Sequence, residues 1–173
     1  MFQSFLLAEI FALRKSGQRR GLRDRVPQFR HLLEESDRAL KTHNFQFLNA
    51  LDASTRDWNK QRATSVVFLL FGFHLAMVGL WRTFGVTFAE VASFSMGEAN
   101  GAHCAGAVPR LSDACALAAL QGVAHDWADG SGSMLVVIGV PRGALVGADG
   151  VCATCRCEIG AEIADELVRQ VIC

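Results

Sequence analysis

The sequence predicts a mainly α membrane protein with cytoplasmic amphipathic helices, one transmembrane helix and a small disulfide-stapled α+β extracytoplasmic domain. Three observations lead there. Residues 65–81, SVVFLLFGFHLAMVGLW, lie in a stretch without formal charge between Arg62 and Arg82. Residues 1–64 carry twelve Lys/Arg against seven Asp/Glu, net +5, and residues 65–173 carry five against ten, net −5. All six cysteines follow the apolar stretch. The basic flank belongs in the cytoplasm, and cysteines persist as disulfides on the oxidising side, so both signals give one orientation. The expected divisions are 1–64 cytoplasmic, 65–88 transmembrane and 89–173 extracytoplasmic. The overall charge is zero, which argues against a dedicated nucleic-acid binder.

The chain opens on MFQSFLLAEIFAL. This run is too short to span a bilayer, and its basic residues follow rather than precede it, unlike a secretory signal. It reads as an amphipathic helix lying on the membrane or on a partner helix. Residues 14–25, RKSGQRRGLRDR, hold Arg14, Lys15, Arg19, Arg20, Arg23 and Arg25 against one acid. Beside an apolar helix these six suit anionic headgroups, each contributing about 1 kcal/mol. A nucleic-acid arm is the competing reading, but no aromatic residue interleaves the charges.

From Pro27 to Leu51 the pattern is helical. Val26, Leu33, Leu40 and Phe47 recur every seven residues, and Phe29, Leu32, Phe45, Leu48 and Leu51 widen the stripe. Such a helix cannot bury its stripe alone, which predicts self-association or docking on another membrane subunit. Residues 52–62 form a polar connection into the membrane.

Arg62 to Trp81 as a helix would run roughly 30 Å, the thickness of the hydrocarbon core. Trp58 and Trp81 sit near opposite ends, where indoles prefer the interface. The alternative is a buried helix of a soluble protein, which would need cover on every face. Gly72 and Ala76 form a small-xxx-small pair that allows close helix approach. His74 between them reads as a packing residue. A haem or metal ligand needs a second donor that the sequence does not display.

Residues 86–99, VTFAEVASFSMGEA, read as an outward continuation of the helix or a surface segment. Asn100-Gly101 marks a turn. Ser112 or Asp113 caps a helix through DACALAALQGVAHDW. MLVVIGV, residues 134–140, is the clearest strand, turned by Pro141-Arg142-Gly143 into ALVG as a hairpin. A last helix is expected from about Glu158 to Val171.

Cys104, Cys115, Cys152, Cys155, Cys157 and Cys173 read as a disulfide framework, with Cys104–Cys115 a reasonable local bridge. Two other chemistries compete for Cys152-Ala-Thr-Cys155-Arg-Cys157. One is thiol–disulfide exchange, with Arg156 favouring the thiolate. The other is a thiolate-rich metal site completed by His103, Cys104 or His125. No phosphate loop, dinucleotide fingerprint, nucleophile elbow or H-E-x-x-H is read from the sequence. His125, Asp126 and Asp129 read as polar surface.

The function this implies is a non-enzymatic, single-pass subunit of the bacterial inner membrane. It has a structural or assembly role in an envelope-spanning complex of secretion, conjugation or respiratory type. The alternative is a membrane-anchored thiol oxidoreductase or metal-handling protein using the Cys152/Cys155/Cys157 cluster. A small phage-type or toxin-type membrane protein is a third option. Expected partners are the lipid bilayer and other membrane subunits, with no cofactor, nucleic acid or small-molecule substrate.

Overall fold

The computed structural model describes residues 4–7, 16–53, 62–93, 95–128, 134–138, 158–164 and 168–172, with side chains placed for 21–53, 62–93 and 95–128. The chain divides into two compact units, Met1–Trp127 and Ala128–Cys173.

The first unit is built on a parallel strand pair. β1 (Ser4–Leu7) lies beside β2 (Glu90–Ser93), with Ser4 opposite Glu90 and Leu7 opposite Ser93. Parallel strands need a long crossover. Here it comprises α1 (Ser16–Arg25), α2 (Pro27–Lys41), α3 (Phe47–Asp52) and α4 (Ala63–Thr83). After β2 come a 3-10 turn (Ser95–Gly97), α5 (Glu98–Cys104) and α6 (Leu111–Ala128). The register sets the C-terminal ends of both strands side by side, the edge where open parallel sheets place their chemistry.

The helices follow from their apolar faces. Pro27 occupies the first turn of α2, where its missing N–H costs nothing. The seven-residue stripe packs inside the chain: Leu33, Leu40 and Phe47 are buried in one cluster with Val67, Phe68 and Phe71 of α4. Phe29 meets Phe73 edge to face, with ring centroids 5.9 Å apart. The Ser36 hydroxyl donates to the Gly72 carbonyl at 2.9 Å. A Cβ on Gly72 would stand 2.7 Å from the Phe47 ring, so the glycine permits this approach.

Two helices that lack a capping side chain of their own receive one from elsewhere. Asp126 of α6 accepts the Ala63 N–H at 2.6 Å and the Thr64 hydroxyl at 2.6 Å, closing the start of α4. Its carboxyl is held below the ordinary value, mainly by the Thr64 hydrogen bond. Asp37 of α2 accepts the Leu48 N–H at 3.0 Å in the first turn of α3 and pairs with Lys41 at 2.8 Å. Burial raises the Asp37 carboxyl, but Lys41 and the backbone donors outweigh it and leave the group lowered.

These contacts correct the membrane reading. α4 is the one described helix long and apolar enough to span, with mean hydropathy 2.0, and 67% of that stretch is buried within the protein. Its faces are spent on α2 and α3, on Asn100 of α5, which donates to the Phe71 carbonyl at 3.0 Å, and on Gly122 of α6, packed against Thr64. A helix covered from several sides must be apolar nearly all round, and that composition imitates a span. Gly72 packs against Leu40 of α2 and Phe47 of α3, Ala76 is buried in the same core, and His74 is buried with its ring beside Phe73 of its own helix. The amphipathic face of α2 is buried on α4, so it supplies no argument for an outside subunit.

Other expectations also change. The opening segment contains β1 rather than an amphipathic helix. Residues 16–25 are helical through both glycines. There Arg23 pairs with Asp52 at 2.6 Å, and Arg25 is an exposed residue of the last turn. The backbone at Arg19 and Arg20 belongs to α1, while Arg14 and Lys15 lie outside the described residues. Among the described residues the cysteines are free thiols, which overturns the Cys104–Cys115 bridge. Cys104 donates to Asn100 Oδ1 at 3.1 Å, and Cys115 is packed in the core. Burial pushes the Cys115 thiol up to about 11, and it also raises Cys104 against a smaller opposing effect of Arg82.

The second unit is an antiparallel sheet in the order β3 (Met134–Ile138), β5 (Val168–Ile172), β4 (Glu158–Ala164). The strand expected at 134–140 forms as β3, and its described neighbour is β5. The expected hairpin partner ALVG lies outside the described residues. The expected last helix is instead β4 and β5. Ile159, Ile163, Val168, Val171 and Ile172 are β-branched and favour the extended chain. Cys152, Cys155, Cys157 and Cys173 also lie outside the described residues.

Candidate nucleophile elbow at Ser95

The turn after β2 carries the unit's clearest chemical feature. Ser95 has φ of 55°, in the left-handed region that a non-glycine side chain enters at a cost of roughly 1–2 kcal/mol. Such strain at a strand-to-helix turn lifts a side chain clear of the sheet, and Ser95 is exposed. The sequence here is Ser93-Phe94-Ser95-Met96-Gly97, the G-x-S-x-G pattern of a nucleophile elbow with Ser93 in place of the first glycine.

Small residues make the turn possible. Gly97 is buried as the chain enters α5. One turn later, a Cβ on Gly101 would stand 2.4 Å from the Ser93 Cβ and 2.5 Å from its Oγ. The helix therefore folds back directly over the end of β2. Ser93 makes a long 3.4 Å contact to Glu98, and Met96 packs against the core. In nucleophile elbows in general the N–H of the residue after the nucleophile can stabilise an oxyanion, and the residue after Ser95 is Met96.

A second tie comes from α6. Gln121 Nε2 donates to the Ser95 carbonyl at 3.0 Å. Gln121 Oε1 is buried without a hydrogen-bond partner. Among the described residues no side chain lies within hydrogen-bonding distance of Ser95 Oγ to take its proton. Nor do they hold a group of three His, Cys, Asp or Glu fit for a metal ion. His74 is buried elsewhere on α4 with Nδ1 unpartnered, and burial lowers it to about 4.

Sequence reasoning does not reach this site. Reading residues 86–99 as a helix continuing outward or as a surface segment places Ser95 inside one segment rather than at a boundary. The available signal is a serine flanked two residues away on each side by Ser93 and Gly97, after the short run Glu90-Val91-Ala92.

Parallel strands, a strained serine at the C-terminal end of β2 and a helix folded over it are the arrangement of an α/β fold with a nucleophile-elbow-like turn. The chain matches the acyltransferase domain from the second module of the salinomycin polyketide synthase with a TM-score of 0.76 at 24% identity, covering 98% of this chain and 38% of that one. It matches an acyl carrier protein S-malonyltransferase from Vibrio cholerae O1 biovar eltor str. N16961 with a TM-score of 0.66 at 19% identity, covering 87% of this chain and 49% of that one. In sequence it is 33% identical over 118 residues to the spectinabilin polyketide synthase system protein NorA of Streptomyces orinoci, covering 68% of this chain and 6% of that protein. The chain thus spans a small part of that relative and under half of those solved chains. No protein-family model matches it.

These likenesses correct the functional expectations. The shared fold is that of enzyme domains, not of a membrane-complex subunit, and the apolar helix belongs to its interior. The readings as an inner-membrane assembly protein with a periplasmic domain, as a non-enzyme, and as a protein whose partners are lipid and membrane subunits with no small-molecule substrate fall with it. The membrane anchor of the thiol or metal alternative falls too, while its Cys152, Cys155 and Cys157 lie outside the described residues.

Proposed function

We propose that the chain carries the nucleophile of an acyl transfer reaction, with Ser95 forming an acyl ester. The observation that carries this is the left-handed backbone of Ser95 at the end of a parallel strand. Ser95 Oγ attacks the carbonyl of an acyl thioester. The Oγ–C bond forms, the C–S bond breaks, and the hydroxyl proton ends on the departing thiol. The Met96 N–H stabilises the tetrahedral oxyanion, a contribution of about 3 kcal/mol for a single well-placed donor. The names of the relatives suggest an acyl carrier protein as one thioester partner and polyketide synthesis as one setting.

The test is acyl loading read by intact-protein mass spectrometry and peptide mapping, with a panel of acyl-coenzyme A thioesters. A covalent adduct on the peptide containing Ser95, absent from the Ser95→Ala variant, is the expected result. An adduct that persists in Ser95→Ala, or no adduct with any thioester, overturns the proposal.

A further inference from the structure

We infer that Asn100 is a positioning residue for Ser95, holding the helix that follows the serine turn to α4 through its side-chain amide; this rests on the acyl-transfer reading of Ser95. The sequence marks Asn100-Gly101 as a turn, yet both residues lie inside α5. Asparagine is a poor helix former and glycine a worse one. Their place in a seven-residue helix is explained by what each one touches.

Asn100 is 1% exposed, and both ends of its amide are bonded. A carbonyl can only accept, so the NH2 faces the Phe71 carbonyl of α4 at 3.0 Å. The amide oxygen is then turned to the Cys104 thiol, one turn further along α5, which donates at 3.1 Å. Burial raises the Cys104 thiol and so keeps it in the protonated form that donates. The amide is thereby fixed in one orientation between the two helices.

Gly101, the next residue, meets β2, where a Cβ on it would stand 2.4 Å from the Ser93 Cβ. Consecutive residues therefore tie α5 to α4 and to the end of β2. The Ser95 turn is strung between β2 and α5, and its left-handed backbone persists only where the surroundings over-determine it. Without the Phe71 tie, α5 is free to shift past Ser93, and the turn relaxes and carries Ser95 Oγ with it. A displacement of about 1 Å at reacting atoms costs on the order of a hundredfold in rate. A residue that only stabilises the fold changes how much protein is folded. A positioning residue changes how fast the folded protein reacts.

The experiment is single-turnover acylation of the full chain, with whichever of acetyl-, propionyl-, malonyl- and methylmalonyl-coenzyme A loads wild type fastest. Followed by intact-protein mass spectrometry over a range of concentrations, it reads amplitude, maximal rate constant and half-saturating concentration. Asn100→Ala is expected to lower the maximal rate constant by about tenfold to a hundredfold. The half-saturating concentration should stay near that of wild type, because the lost hold acts on the reacting atoms and not on thioester binding. Cys104→Ala strips the amide oxygen of its donor and is expected to slow acylation a few-fold, and Cys104→Ser supplies a donor again and should recover most of that loss. This second pair decides the matter if Asn100→Ala does not fold. An Asn100→Ala protein that reacts at the wild-type rate constant with reduced amplitude overturns the inference. So does a loss confined to the half-saturating concentration, or, where Asn100→Ala is unfolded, Cys104 variants that react alike. Acyl transfer stands in each of these cases. No adduct on wild-type Ser95 from any thioester overturns both.

Discussion

Gly101 and Ser93 are locked together: a methyl group on the glycine would stand 2.4 Å from the serine Cβ. This contact joins the helix after Ser95 to the strand before it, so the shape of the turn depends on it. Gly101→Ala is expected to destabilise the unit by about 1–3 kcal/mol, the usual cost of overpacking a closed contact, and to lower Ser95 acylation. Ser93→Gly removes the two nearest atoms and leaves the Ser93 Cα, at 3.6 Å, in ordinary contact. The double variant should therefore recover stability that Gly101→Ala alone loses. Thermal melts of the four proteins in this cycle decide it, and simple additivity would refute the contact.

The caps supplied from a distance give a pH-dependent prediction. Asp126 closes the first turn of α4 with its carboxylate, and its folded value is depressed. Its contribution is thus present above the unfolded carboxylate value of about 3.9 and fades as pH falls through the lower folded value. Asp126→Ala should cost about 1 kcal/mol at pH 7, and the gap between the variant and wild type should close in acid. Urea melts at pH 7 and pH 3 measure both; a gap independent of pH would remove the carboxylate from the explanation.

Much of this fold is legible as pieces and illegible as an assembly. Pro27 marks the start of α2, and the run from Met134 announces β3. The expected helix after residue 112 forms as α6 but begins at Leu111, so Ser112 and Asp113 lie in its first turn rather than capping it. What misleads is α4. Buried against Leu40, Phe47 and Asn100, it needs the composition that a lipid environment also demands, and local sequence cannot tell protein from lipid as the surrounding phase. The charge split between the halves and the late cysteines then agree with a wrong premise. Ser95 stays hidden because its signal is a backbone angle. Only two flanking small residues hint at it, and one of them is Ser93 where the pattern has glycine.

The two glycines of α4 separate rigid from yielding neighbours. A Cβ on Gly72 meets the ring of Phe47 at 2.7 Å, and that ring is fully buried. A Cβ on Gly79 meets Leu32 Cδ2, also at 2.7 Å, but this is the far end of a half-buried side chain. Gly72→Ala is therefore expected to destabilise by about 1–3 kcal/mol. At Gly79 the leucine can turn aside, and the helix gains up to about 1 kcal/mol of propensity. Gly79→Ala should be neutral or stabilising, and equal losses at both sites in chemical denaturation would refute the distinction.

His74 supplies the last prediction. It is buried on α4 with Nδ1 unpartnered, and burial lowers it to about 4 from an ordinary 6.5. The folded protein therefore holds His74 neutral, while the unfolded chain takes a proton as pH falls below 6.5. Stability is fully present above that value and declines between 6.5 and about 4, where protonation favours the unfolded chain. The whole effect is at most about 3 kcal/mol, because each pH unit between the folded and unfolded values is worth about 1.4 kcal/mol. His74→Leu removes the titrating group and an orphan donor or acceptor together, so its stability should change less than wild type across this window. Denaturant melts at pH 7, 5.5 and 4.5 test this, and a wild-type decline that the variant copies in full would assign the acid sensitivity to other groups.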